Sequence, residues 1–337
     1  MRSRAIYGCA GQTLSPAERD FFREVQPWGF ILFGRNINDP QQVLTLIAEL
    51  RATVGDAQAP VLIDQEGGRV ARLRPPHWRQ RPPAARFGDL YDGNPEMARE
   101  AVYLNARLIA HDLAGLGINV DCLPVLDVPV PGAHDVIGDR AFASDPHIII
   151  ELGRAQIEGM LDGGVLPVMK HIPGHGRSMA DSHLALPRVA ATAAELSATD
   201  FVTFRSLDSC PLAMTAHVVY EAIDPQRPAT TSPKVIRDVI RGEIGFAGLL
   251  MSDDLSMKAL DGTMAARARA AQFAGCDLVL HCNGDMDEMR SVASEVKPLD
   301  GVVAKRSAAA LAQLVAPSPF DPAAAEARLA ALLGGAA

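Results

Sequence analysis

Eight short apolar runs alternate with helical segments along this chain, and no other feature narrows the fold as far. They fall within residues 5–11, 29–37, 59–68, 118–128, 165–169, 211–220, 248–255 and 276–283. A strand with one wet face alternates apolar and polar residues. These runs are continuous instead, as in GFILF or GLLM, which is the pattern of strands buried on both faces and therefore parallel and covered by helices. Eight strand–helix units predict an α/β fold of the (β/α)8 TIM-barrel type. The competing arrangement, a doubly wound open sheet, wants a glycine-rich phosphate loop after an early strand, and GCAG at 8–11 matches that poorly. Neither an internal repeat nor a low-complexity linker divides the chain, so residues 1–337 are expected to form a single domain.

Helix starts are written in the intervening segments. Ser15-Pro16-Ala17-Glu18 combines an N-cap, a proline at the first helical position and a capping-box glutamate. Asp39-Pro40 opens a helix to about Val54, Asn94 one to about Leu116, and Asp145-Pro146 one reaching Gly163. Further helices are expected near 192–208, 233–244 and 263–274, with alanine-rich helices closing the chain. Residues 69–93 and 131–145 read as long loops, and loops of that length usually serve a binding site.

Composition excludes several function classes. A formal net charge of −8 without a basic stripe leaves nothing to neutralise phosphates, so no nucleic-acid partner is expected. The five cysteines are odd in number and widely spaced, several within apolar runs, and read as reduced core residues. The N-terminus lacks an apolar stretch of signal-peptide length and no apolar run approaches membrane-spanning length, so a soluble, cytoplasmic protein is expected, with no membrane partner. Nothing demands an oligomer, and a monomer is expected.

The chemistry gathers where strands open into loops. Lys170–Pro187, KHIPGHGRSMADSHLALP, carries three of the nine histidines just past the apolar run VLPVM. Other strand ends supply Arg35-Asn36, Asp64-Gln65-Glu66, Asp127, His217, Ser252-Asp253-Asp254 and His281. In a barrel of this kind such positions build the site. Core packing alone would put apolar or small residues there, so the set predicts a pocket for a polar, hydroxyl-rich or anionic small molecule. Neighbours on a strand face opposite sides, so only one of Asp253 and Asp254 is expected to face the barrel axis. That one, ionised among cations, suits a nucleophile; the other, Asp254, reads as a cap or hydrogen-bond acceptor. Asp181 and His183 form a second pair, in which an aspartate fixes the imidazole tautomer for acid/base work. The glycines around them are expected to let that loop move when substrate binds. A metal-dependent hydrolase is the weaker reading, because the first strands lack an HxH pair and Lys170 would repel a cation.

These residues resemble glycoside hydrolase family 3, in particular its single-domain bacterial β-N-acetylglucosaminidases. The resemblance rests on GFILFGRNI (29–37), IDQEGGRVARL (63–73), PVLDV (124–128), IGDRAF (137–142), KHIPGHG (170–176), DSH (181–183), MTAHVVY (214–220), SDDLSM (252–257) and AGCDLVLHCN (274–283). It implies a (β/α)8 barrel and retaining hydrolysis of terminal β-linked N-acetylglucosamine. By that resemblance Asp253 is the nucleophile and His183 the acid/base, oriented by Asp181. Sugar hydroxyls and the N-acetyl group would be held by Asp64, Arg72, Arg140, Lys170 and His171. No metal and no organic cofactor is implied, and the implied substrate is a muropeptide carrying N-acetylglucosamine, processed in peptidoglycan recycling. Two rivals keep the fold. In one, phosphate replaces water as acceptor; in the other, the substrate's own acetamide replaces Asp253 as nucleophile. From a different class, a non-catalytic sugar-binding barrel would have no need for the nucleophile and acid set.

Overall fold

The computed structural model describes residues 1–179 and 186–334. Its helices begin where the capping residues stand. Ser15 accepts from the Glu18 backbone while the Glu18 carboxylate reaches back to Ser15, starting a helix at Pro16–Val25. Asp39, Asn94 and Asp145 cap Pro40–Val54, Pro95–Leu116 and Pro146–Asp162 by accepting from a first-turn backbone N–H, each with proline next in line. Each helix carries the chain back so that the next strand runs parallel to the last.

The strands close into a barrel. In chain order they are β1 (Ser3–Gly8), β2 (Pro27–Leu32), β3 (Val61–Ile63), β4 (Val120–Asp121) and β5 (Leu166–Ile172), then β7 (Leu212–Thr215), β9 (Leu249–Asp254) and β10 (Leu278–His281). The order around the barrel is β1-β10-β9-β7-β5-β4-β3-β2 and every pairing is parallel. A (β/α)8 TIM barrel is thus what the continuous apolar runs encode.

Two apolar layers hold it together. Inward residues such as Ile6, Leu62, Val168, Met214 and Met251 fill the interior, and Val303 and Ala310 of helix Gly301–Leu311 pack on the same cluster. Trp28 joins them there and donates its indole N–H to Ser307 at 2.7 Å. The alternate strand residues, among them Ala5, Tyr7, Phe30 and Val279, face the helix ring in a second, larger cluster. All five cysteines are buried and free.

Three local expectations are corrected. Within the loop read over 69–93, residues Ala84–Tyr91 form a helix. Pro83 at its start offers no side-chain cap, so the sequence carries no start signal. The helix is held by packing instead: a Cβ on Gly88 would lie 1.7 Å from the Phe142 carbonyl oxygen. The helix expected near 192–208 is two short ones, Ala193–Ala198 and Asp200–Arg205, broken at Thr199. The helix expected near 233–244 is present over Val235–Glu243, wound as a wide, π-type helix. The run 211–220 is not one strand, because after β7 the chain leaves the barrel. Val219–Tyr220 (β8) pairs there with Arg188–Val189 (β6) in a separate two-stranded sheet.

Among the described residues, no helix is long and apolar enough to cross a membrane.

Candidate active site

The C-terminal ends of the strands open onto a cavity of about 160 Å³. One wall is a chain of alternating charges. Arg72 donates to Asp64 at 3.0 Å, Lys170 Nζ lies 3.0 Å from Asp64 and 2.6 Å from Glu66, and Arg140 grips Glu66 with two bonds of 2.8 and 2.9 Å. Three cations face two carboxylates, leaving a surplus of one positive charge.

Burial sets the strength of these pairs. It works to raise the Asp64 carboxyl, but Lys170 and Arg72 more than offset it and hold that group well below the usual carboxylate range. For Glu66 burial is likewise overcome, by Arg140 and Lys170, and the carboxyl is held down to about 2. Lys170 is only 2% exposed. Burial pulls its ammonium downward, yet the two carboxylates raise it above its ordinary value, so it stays charged. Below this chain Asp121 is fully buried, and burial pushes its carboxyl up to about 8, which keeps a third negative charge out of the cluster at neutral pH.

His171 stands beside Lys170 on the same wall. Its Nδ1 lies 2.7 Å from Asp127, which also accepts from the backbone N–H groups of His171 and His175. Burial raises the Asp127 carboxyl, but His171 and these hydrogen bonds bring it below its ordinary value. An ionised Asp127 keeps the proton on Nδ1, leaving Nε2 as the nitrogen available to a ligand. His175 also lines the cavity; burial, helped by the nearby His171, lowers it to about 4.

Asp253 and Asp254 both line this cavity, against the expectation that only one of two neighbours could. The ladder between β9 and β10 slips: Leu278 is opposite Met251 but Leu280 is opposite Asp254, three residues on one strand matching two on the other. Such a bulge breaks the strict alternation of side chains. β5 slips at the same level, between Lys170 and Ile172, and so Lys170 and His171 both reach the cavity. Asp254 is tied down. Its carboxylate accepts from the backbone of Ser256 and Cys282 and from the Ser256 hydroxyl, while its own N–H donates to Asp253 at 2.8 Å.

Asp64, Arg72, Arg140, Lys170, His171 and Asp253 are therefore brought together around one cavity, while Asp181 and His183 lie outside the described residues. Other strand-end candidates turn out to fasten the frame. Arg35 donates to the carbonyls of Cys9 and Cys282, and Asn36 to those of Cys9 and Gly11, stitching the ends of β1, β2 and β10. His281 is buried against Glu288. Two glycines at the root of the histidine-rich loop have a local reason: a Cβ on Gly176 would lie 2.0 Å from the Val128 carbonyl oxygen, and Gly174 has φ +140 against Asp200.

Sequence reasoning placed Glu66 at a strand end but gave it no role, and passed over Phe33. The two-residue spacing of Glu66 from Asp64 could have put both on one face. Phe33 also lines the cavity, with the Arg35 and Arg72 guanidinium carbons 5.0 and 5.2 Å from its ring centre. Nothing in GFILF marks that phenylalanine apart from its neighbours.

Comparison with known proteins decides the family. The model of the glycosyl hydrolase family 3 N-terminal domain matches residues 14–315. The chain belongs to glycoside hydrolase family 3. A β-hexosaminidase from Alkalilimnicola ehrlichii is 43% identical over 284 residues, 82% of this chain and 80% of that protein. Native NagZ from Neisseria gonorrhoeae superposes with a TM-score of 0.86 at 32% identity, covering 99% of this chain and 98% of that one. A family 3 β-N-acetylglucosaminidase from Paenibacillus gives a TM-score of 0.81 at 30% identity; there the chain covers 62% of the longer protein. This family 3 member is a glycoside hydrolase of the NagZ type.

Proposed function

We propose that this glycoside hydrolase, a β-N-acetylhexosaminidase, removes terminal β-linked N-acetylglucosamine by a retaining double displacement with Asp253 as nucleophile. The observation that carries the reading is the position of Asp253, on the wall of the same cavity as the ion-paired cluster of Asp64, Arg72, Lys170, Glu66 and Arg140. The hexosaminidase and NagZ names of relatives that match most of the chain support the sugar.

In the first step the Asp253 carboxylate forms a bond to the anomeric carbon as the bond to the leaving oxygen breaks. That oxygen takes a proton from His183, which Asp181 orients. In the second step water gives its proton back to His183 and attacks the same carbon, releasing Asp253 and a sugar of unchanged configuration. The surplus positive charge of the cluster compensates the carboxylate, and the hydroxyls and N-acetyl group are held by Asp64, Arg72, Arg140, Lys170 and His171. Each of those side chains except His171 is already pinned by an ion pair, so little reorganisation accompanies binding. The physiological substrate in this reading is N-acetylglucosamine linked to anhydro-N-acetylmuramic acid, with or without peptide, in cytoplasmic peptidoglycan recycling. Residues 1–337 act as one catalytic unit, as a monomer and without a cofactor.

The test uses an aryl β-N-acetylglucosaminide with EDTA present. Wild type should release the aryl alcohol, Asp253→Ala should not, and Asp181→Ala should do so far more slowly. Loss of activity on chelation would overturn the metal-free mechanism. Sugar-1-phosphate as the main product in phosphate buffer would replace water by phosphate as acceptor.

A further inference from the structure

We infer that His217 is a positioning residue for the reaction: a buried imidazole that fixes the backbone on which Asp253 is mounted. The inference rests on Asp253 being the nucleophile. His217 follows β7, is fully buried, and does not line the cavity. Its Nε2 lies 2.9 Å from the Asp254 carbonyl oxygen, and its Nδ1 lies 2.7 Å from the Thr230 hydroxyl.

The proton positions follow from the partners. A carbonyl oxygen only accepts, so Nε2 must carry the proton. Burial lowers the imidazole below its ordinary value, favouring the neutral ring, in which Nδ1 then accepts from Thr230. The Thr230 hydroxyl also lies 2.8 Å from the Thr215 hydroxyl and 3.1 Å from the Ala216 carbonyl oxygen. Three buried side chains thus set one tautomer whose single N–H points at one peptide group. That peptide group belongs to the residue whose N–H holds the Asp253 carboxylate and whose own carboxylate is tied to Ser256 and Cys282. Residue 254 is therefore held at its N–H, its side chain and its carbonyl. Holding it three ways is what a bulged strand end requires, since the slipped ladder supplies fewer backbone bonds there. A hydrophobic residue at 217 would leave the Asp254 carbonyl without this donor and let the Asp253 carboxylate wander. Misplacement of a reacting group by a fraction of an ångström up to 1 Å lowers rates by about 10- to 100-fold.

His217→Leu, His217→Gln, Thr230→Val and Asp253→Ala separate the possibilities. Glutamine places an amide N–H about where Nε2 stands, so it preserves the donor; leucine does not. Two readouts are compared: the single-turnover rate of aryl alcohol release, and the Kd of N-acetylglucosamine. The leucine variant should release aryl alcohol about 10- to 100-fold more slowly with Kd changed by no more than about twofold, and glutamine should recover most of the rate. A merely structural histidine would affect both substitutions alike and disturb Kd as well. If the leucine chain does not fold, Thr230→Val decides: loss of the hydroxyl leaves Nδ1 without the partner that orients the ring, and the same slow turnover with unchanged Kd is expected. Wild-type turnover in His217→Leu, or in Thr230→Val, would overturn the inference, as would a slow glutamine variant that folds normally. An active Asp253→Ala would instead show that the nucleophile assignment itself is wrong.

Discussion

Replacing Lys170 by methionine removes the central charge from a buried row of five. Methionine is close in volume to the lysine stem, so packing is largely kept and the change is electrostatic. Breaking a buried pair by removing one partner costs about 3–5 kcal/mol, because the other charge is left uncompensated. Asp64 keeps Arg72 and Glu66 keeps Arg140, which puts the expected loss at the lower end, about 3 kcal/mol at pH 7. The pH dependence gives the sharper signature. In the wild type both carboxyls sit below their ordinary values of 3.8 and 4.5, so their contribution is present above those values and lost as pH falls through the folded ones, about 2 for Glu66. Lys170 is raised above 10.5; its contribution is complete at pH 7 and is lost only as alkaline pH passes its folded value. Without Lys170 the two buried carboxyls rise, and protonating them relieves the penalty. The stability gap between variant and wild type should therefore narrow as pH falls from 7 towards about 4.5. Urea unfolding at both pH values measures it. A gap below about 1 kcal/mol at pH 7, or one that does not change with pH, would refute the reasoning.

Gly176→Ala should destabilise the fold by about 1–3 kcal/mol, because its Cβ meets the Val128 carbonyl, and activity should fall with the displaced loop root; thermal unfolding and kcat report it. Gly115→Ala, whose Cβ meets nothing within 4 Å on an exposed helix position, should stabilise by about 0.5–1 kcal/mol and serves as the contrast. Arg140→Lys retains the charge but not the two-pronged grip on Glu66, so kcat/KM should drop about tenfold with circular dichroism unchanged. An unchanged kcat/KM would show that charge alone suffices there.

The barrel was legible because burial on both faces leaves a mark that survives in one dimension. GFILF and GLLM have no polar alternation, and GFILF lies between helices announced by Ser15 and Asp39. The helix Ala84–Tyr91 left no such mark, since its reason is the contact of Gly88 with a backbone 54 residues further on. Residue types at the strand ends were readable, and they do converge on one cavity. Their directions were not. The rule that strand neighbours face opposite ways fails at Asp253-Asp254 and at Lys170-His171, where the ladder slips, and no residue in SDDL or VMKHI announces a bulge. Arg35 and His217 show the reverse limit. Both have the chemistry of a ligand-binding side chain, and both spend it on carbonyl groups of neighbouring strands.

The central claim is that Asp253 forms the bond to the sugar. A fluorinated N-acetylglucosaminyl fluoride, which forms the glycosyl-enzyme quickly and hydrolyses slowly, tests it directly by mass spectrometry of the digested protein. The account predicts one glycosyl group on the peptide containing Asp253, and none in Asp253→Ala. A label on another residue, or rapid turnover of the natural substrate by a protein that never acquires a label, would contradict it.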